Sequence, residues 1–390
     1  MNEGTKDLCN QFEHGGNIYR LAEELKIQER QVIDFSTSVN PLGVSKKVKA
    51  EIRKHLKYLH NYPDPDTKRL RKRLAQYLGI DHETILCGNG STELIYLTAR
   101  ALKPERVLIP EPTSSEYERA VLTAESKEHR AQIEFLILKE EDRFEIKPEE
   151  FISALQEERT SSLLTPHPSR FCDMAFLCNP NNPTGKLLKR EDVKKIADAT
   201  EELACYLVVD EAFMDFCPDE SVIKTVENNR YLIVLRTMTN YHALSGLRIG
   251  YGVFPPGLIE KVRKYKEPWT VNNLAQRAAV TALKDKVYRK ETYGLMQQEK
   301  RFLEKNFRKL GVTFFPSDAN FYLLKINNAD EISHGLRRKG ILVRDCANFK
   351  GLNNTYLRVA VKSHKENSIL IKELTSILQP PSVHPYQGGK

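Results

Sequence analysis

The 390-residue sequence holds no C-x-x-C pair, and its seven cysteines are odd in number and scattered. That excludes a disulfide framework and a cysteine-ligated zinc site, so Cys178 and Cys205, which lie in apolar runs, are expected to be reduced core thiols. No metal site is expected. The opening stretch, MNEGTKDLCNQFEHGGN, has no apolar segment of the kind a secretory signal needs, and the longest apolar runs, YLVV and YLIVL, fall far short of a membrane span. The expectation is a soluble, cytoplasmic chain with no membrane partner. There is no basic arm either. The 60 Lys+Arg exceed the 52 Asp+Glu by eight and are spread along the sequence, which argues against a nucleic-acid partner and for small anionic substrates. No repeat or low-complexity tract is present. Residues 380–390, PPSVHPYQGGK, have nothing to bury and are expected to form a loose tail.

What is present is enough apolar material, 40% of the chain, for a sizeable core. Short aliphatic runs recur at Val107 to Ile109, Ile133 to Leu138, Ala175 to Cys178, Tyr206 to Val209, Leu232 to Leu235 and Ile249 to Val253. Each is too short for a helix and reads as a strand buried on both faces. Arg190 to Ala204 carries Val193, Ile196, Ala197 and Leu203 at helical spacing between two of them. The fold class expected is therefore α/β, with a large domain at 46–274. Beyond Trp269 the texture changes to a long charged helical stretch, Leu274 to Lys309. The runs GVTFFP, NFYLLKI, GILVRD and YLRVAV follow, and then a last helix near Glu366 to Leu378. Residues 1–45 and 275–379 are expected to form an N-terminal arm and a smaller α+β domain.

Four segments carry chemistry. In CGNGSTELIYLTARAL, Gly88 and Gly90 precede Ser91 and Thr92 at the start of a helical run; the backbone N–H groups and hydroxyls there suit a phosphate, although a plain turn with an N-cap has the same composition. NPNNPTGK, Asn179 to Lys186, follows a strand and turns at the strand end where open α/β sheets bind ligands, so Asn181 and Asn182 are expected to face a pocket. YLVVDEAFMDF ends a buried strand in Asp210 and Glu211, and a desolvated carboxylate there needs a cation, either a protonated ring nitrogen or an ordinary Lys or Arg. LRTMTNYHALSGLRIGYGVFP combines Thr237, Thr239, Gly246, Arg248 and Gly250, a set suited to bidentate contact with phosphate.

The order GNGSTE, NPNNPTG, VVDEAF, T-x-T with L-x-G-L-R-x-G, and YLRVAV resembles fold-type I pyridoxal-phosphate enzymes of the class I/II aminotransferase family along nearly the whole chain. HGGN, DFSTSVNPLG, HNYPDPDTKRLRKRLAQYLG and GILVRDCANFKGL are similar to the threonine-phosphate decarboxylase branch of cobalamin biosynthesis, with histidinol-phosphate aminotransferases as close relatives. The resemblance implies a mostly parallel seven-stranded sheet between helices, with pyridoxal 5′-phosphate as cofactor. It implies a phosphorylated amino acid as substrate and a homodimer with shared active sites. Residue by residue, it implies Gly90, Ser91, Thr92, Thr237, Thr239 and Arg248 as a phosphate cup, Asn182 as donor to the phenolic oxygen, and Asp210 as partner of the ring nitrogen. Tyr62 would reach a phosphate of the neighbouring subunit. Arg358 would grip the substrate carboxylate and Arg344 its phosphate, while His14 and Ser38 would fold over it. The activity implied is decarboxylation of L-threonine O-3-phosphate to (R)-1-amino-2-propanol O-phosphate; transamination of histidinol phosphate is the alternative.

The sequence departs from the family at the cofactor's seat. The Schiff-base lysine should stand eight residues before Arg248, and that position is Asn240. An amide can neither form an imine with an aldehyde nor shuttle a proton. Ser114 stands where the family usually stacks an aromatic ring, and His82 and Tyr241 with His242 are also unusual. Lys186 is the only lysine within a motif. Changes so concentrated on one seat imply an inactive variant, either a natural lineage that lost lysine chemistry or an altered site, and favour the second. Two other readings follow: a pocket that binds the cofactor or its amine form without a covalent bond, and a pocket in which Ser114 and His242 perform new, hydrolytic chemistry.

Overall fold

In a computed structural model, residues 15–126, 130–157 and 171–379 are described. Seven strands form the large sheet: β1 (Ile85–Gly88), β2 (Arg106–Glu111), β3 (Gln132–Ile137), β4 (Met174–Cys178), β5 (Tyr206–Asp210), β6 (Leu232–Thr237) and β7 (Gly250–Val253). Their order is β1-β7-β6-β5-β4-β2-β3. Only β7 runs antiparallel to its neighbours β1 and β6; the other six are parallel. The C-terminal ends of those six, Gly88, Glu111, Ile137, Cys178, Asp210 and Thr237, therefore share one edge of the sheet, where crossover folds place ligand sites.

The aliphatic runs become strands because both faces are covered. Leu207 and Val209 of β5 enter the core that holds Leu70, Phe151, Val193 and Ala278, while Val208 between them enters the opposite core with Leu94, Tyr117 and Ile259. The alternation is what puts Asp210 on the Tyr117 side. β3 departs from the expected double burial: it is the sheet's edge, and Gln132 and Ile137 are exposed. The four-residue β1 is too short for its pattern to stand out from the preceding turn.

The second unit is a four-stranded antiparallel sheet ordered Arg344–Asp345, Tyr356–Ala360, Phe321–Lys325, Thr313–Phe314, packed with the helices Lys286–Lys309, Ala329–Arg338 and His364–Leu378. Ile33–Asp34 pairs in parallel with Ile341–Leu342, which ties the N-terminal segment to this unit. The single helical stretch expected at 274–309 is two helices, Asn273–Ala282 and Lys286–Lys309, because Asp285 turns back to accept from Tyr288 N at 3.4 Å and starts the second. The first of the two buries Ala275, Ala278 and Ala279 in the core of the large sheet. Among the described residues no helix is long and apolar enough to cross a membrane.

Candidate active site

The sheet's C-terminal edge meets the second unit at a cavity of about 610 Å³. Seven of the residues singled out in the sequence line it: Ser38, Ser114, Asn182, Thr239, Asn240, Arg344 and Arg358. They come from six separate stretches of chain, brought together by the strand ends of the large sheet and by the paired strands Arg344–Asp345 and Tyr356–Ala360.

Arg344 and Arg358 are direct cross-strand partners in the small sheet. Like charges in that relation repel. Arg358 is buried and its guanidinium, lying over the Phe321 ring at 5.1 Å, donates through Nη2 to the Ser36 carbonyl at 2.7 Å and through Nη1 to Asn182 Oδ1. Its Nε has no partner among the described residues. Burial lowers its pKa to about 10, and Arg344 adds to the effect. Arg344 donates to Asn348 Oδ1 at 2.8 Å and lies over Phe349. Two cations facing one cavity, with no carboxylate bonded to Arg358 among the described residues, make an anion site. Because Asn182 Oδ1 accepts from Arg358, its amide nitrogen is the end left for a ligand.

Beside the cavity lies a cradle built on close backbone approaches. Gly90 has φ +81°, and a Cβ there would stand 2.5 Å from Arg248 Nη2. A Cβ on Gly250 would stand 2.3 Å from Ser91 N. Glycine at both positions is what lets the guanidinium and β7 press against the N-terminus of the helix Ser91–Leu102. Thr92 is half-buried on that first turn. Thr237 Oγ1 lies 2.9 Å from Thr239 Oγ1, linking the cradle to the cavity wall, and Arg248 Nη1 donates to the carbonyl of Ser245, another wall residue, at 3.4 Å. Gly88 closes β1, and a Cβ there would stand 2.9 Å from Leu94 Cγ of the same helix.

The two carboxylates that end β5 have opposite fates. Glu211 takes the bland role: it pairs with buried Arg236 at 2.7 Å and accepts from Ser221 Oγ at 2.7 Å. Asp210 has no ion pair with a cation among the described residues. It accepts from Tyr117 OH at 2.8 Å and Ala212 N at 3.1 Å, and burial pushes its pKa up to about 6 against those two hydrogen bonds. A protonated ring nitrogen would supply the missing charge.

Several sequence expectations need correction. Asn181 does not face the cavity; its amide is spent on Thr113 Oγ1, Pro112 O and Thr184 Oγ1, holding the turn. His242 is buried against Tyr241 and Tyr288 away from the cavity wall, with burial lowering its pKa, so it makes no pair with Ser114. Lys186 bonds Glu145 near the surface, and His82 sits between Asp81 and Glu83 on an outer turn. Tyr62, expected at the phosphate of a neighbouring subunit and not of its own, is 80% exposed and its ring lies 4.9 Å from that of Trp269. His14 lies outside the described residues. Sequence reasoning missed Tyr117, three residues after Ser114 on the same turn, and the D-x-S-T pattern of Asp34 to Thr37. There Asp34 accepts from both hydroxyls and so sets the Ser36 carbonyl toward Arg358.

Residues 30–374 match the model of the family "aminotransferase class I and II". The threonine-phosphate decarboxylase of Salmonella typhimurium is 36% identical over 94% of this chain and 96% of its own. Among solved structures, the histidinol-phosphate aminotransferase of Clostridium acetobutylicum aligns with TM-score 0.79 and 30% identity over 89% of this chain and 99% of that one. The L-threonine-O-3-phosphate decarboxylase of Porphyromonas gingivalis aligns with TM-score 0.72 and 27% identity over the same shares.

Proposed function

This chain belongs to the class I and II aminotransferase family, and from that membership we propose that it is a threonine-phosphate decarboxylase-type protein. Its cavity would take pyridoxal 5′-phosphate and L-threonine O-3-phosphate. The observation that carries the reading is the cross-strand pair Arg344 and Arg358, two cations set side by side at one cavity for a ligand with both a carboxylate and a phosphate.

The residues fit the cofactor in part. Ser91, Thr92, Thr237, Thr239 and Arg248 would hold its phosphate at the Gly90 and Gly250 cradle, Asp210 its ring nitrogen and Asn182 its phenolic oxygen. Bound there, the cofactor supplies an electron sink for the bond broken at the substrate's α-carbon. Arg358 holds the α-carboxylate in a fixed orientation, which decides which bond of that carbon is weakened, and Arg344 anchors the substrate phosphate. The product would be carbon dioxide and (R)-1-amino-2-propanol O-phosphate, the side-chain fragment for cobalamin. Two family features have no counterpart: position 240 offers an amide in place of a lysine, and Ser114 offers no ring to stack. Covalent anchoring and the lysine's proton transfer are therefore lost in this chain. Exposed Tyr62 and Trp269 would lie in a homodimer interface, placing Tyr62 beside the partner's cavity.

The test is calorimetric binding of phosphothreonine to the chain with pyridoxal phosphate, alongside an assay for aminopropanol phosphate. Binding is expected, with turnover slower than in Asn240→Lys by about 10²–10⁴-fold, the usual range for a lost general acid–base group. Binding of histidinol phosphate but not phosphothreonine would replace this reading with the aminotransferase one, which the 0.79 TM-score to an enzyme of that name keeps in play.

A further inference from the structure

Asn240 does more than lack an amine; its surroundings determine which end of its amide a ligand meets. Its Nδ2 lies 3.4 Å from the carbonyl oxygen of Ala212. A carbonyl oxygen only accepts, so the NH₂ end must face Ala212 and Oδ1 must face away from it. The residue's backbone is held as well, since its own carbonyl accepts from Asn40 N at 2.9 Å. Ala212 also gives its N–H to Asp210 at 3.1 Å, so one residue orients both the amide and the carboxylate. Asn240 is part of the cavity wall, half-buried, and its Oδ1 receives no hydrogen bond from a described residue. The cavity thus presents an acceptor at the place where the family presents a donor, and no lysine lines its described wall.

We infer that the cavity selects a primary ammonium group at Asn240 and so prefers the amine form of the cofactor, pyridoxamine 5′-phosphate, over the aldehyde form. The inference rests on the cofactor reading above. An ammonium group carries only donors, and its hydrogen bond to an amide oxygen is charge-assisted. An aldehyde oxygen carries only acceptors and meets Oδ1 as a mismatch. The phosphate cradle, Asp210 and Asn182 serve both forms alike, so the discrimination falls on position 240. The α-ammonium of a bound amino acid offers the same chemistry, and the test separates the two sources.

The experiment is titration calorimetry on the full chain with pyridoxamine phosphate, pyridoxal phosphate, and 4′-deoxypyridoxine phosphate, whose methyl group neither donates nor accepts. Pyridoxamine phosphate is expected to bind about tenfold or more tightly than the other two, the usual scale of a hydrogen bond to a charged group. Asn240→Leu should remove that advantage and leave the deoxy compound's affinity within about threefold, while Asn240→Asp, which retains the acceptor and adds charge, should widen it. Equal affinities in the native chain, or a preference that survives in Asn240→Leu, overturn the inference while the cofactor reading stands. Failure of all three compounds to bind overturns both. If Asn240→Leu weakens phosphothreonine binding to the pyridoxal phosphate-loaded chain but leaves the ratio of the vitamers unchanged, the ammonium belongs to the amino acid and the preference assigned to the cofactor is wrong.

Discussion

Tyr117 donates its hydroxyl to Asp210 Oδ2 at 2.8 Å from inside the core, stacked on Phe176. Of the influences on Asp210, burial raises its pKa most and the Tyr117 hydrogen bond opposes it most strongly. Tyr117→Phe removes that opposition at almost constant volume. The carboxyl should then ionise at a pH higher by roughly half a unit to one unit, since one unit corresponds to about 1.4 kcal/mol, near the worth of one such hydrogen bond. Cofactor affinity measured against pH is the check: its acidic limb should move upward, with affinity at alkaline pH nearly unchanged.

Asp210 also has a stability signature. Its pKa in the folded chain is about 6, above the ordinary 3.8, so between those values the folded chain keeps a proton that the unfolded chain has released. The group's contribution is fully present below the lower value and is lost as pH rises through the upper one. Asp210→Asn should therefore stabilise the ligand-free chain by roughly 1–3 kcal/mol near neutral pH, and by almost nothing below about pH 4. The same substitution should weaken cofactor binding. Denaturant unfolding at the two pH values decides it; equal effects at both would show that the carboxyl is not desolvated.

Arg358 and Arg344 can be told apart by the ligand each should lose. Arg358 is buried without a bonded carboxylate among the described residues, so Arg358→Met removes a desolvated cation and should leave thermal stability equal or higher while lowering affinity for threonine and phosphothreonine alike, by about 10–100-fold. Arg344→Met should affect phosphothreonine alone. A uniform loss for both ligands in both variants would contradict the assignment of carboxylate to one and phosphate to the other.

How much of this was legible in the sequence depended on whether a residue's partner lay nearby in the chain. The strands β2 and β4 to β7 announced themselves as apolar runs, because burial on both faces leaves their central residues uncharged. The glycines of the cradle were visible as composition, but that Gly90 and Gly250 must be bare follows from Arg248 and β7 pressing on the start of the helix Ser91–Leu102, far away in the chain, which no local pattern reports. Asn181 and Asn182 are indistinguishable in sequence; one is spent on Thr113, the other faces Arg358, and only the turn separates them. His242, two residues after Asn240, invited a catalytic role, yet its ring entered the Tyr241 and Tyr288 packing, which only the tertiary fold decides.

A lysine at 240 would begin from a backbone already fixed by Asn40 and from a neighbourhood with the cradle, Asp210 and Asn182 in place. Asn240→Lys, incubated with pyridoxal phosphate, should gain an absorbance band near the visible edge. Borohydride should then fix one cofactor per chain, to be located at residue 240 by peptide mass. The band should be weak at first, because Ser114 gives the ring no stacking surface, and Ser114→Phe added to Asn240→Lys should raise affinity by about 5–10-fold, the scale of one aromatic contact of roughly 1 kcal/mol. Ser114→Phe alone should fix no cofactor. Reduction that places the cofactor on a surface lysine in the double variant would mean that the cavity cannot seat the ring, whatever residue stands at 240.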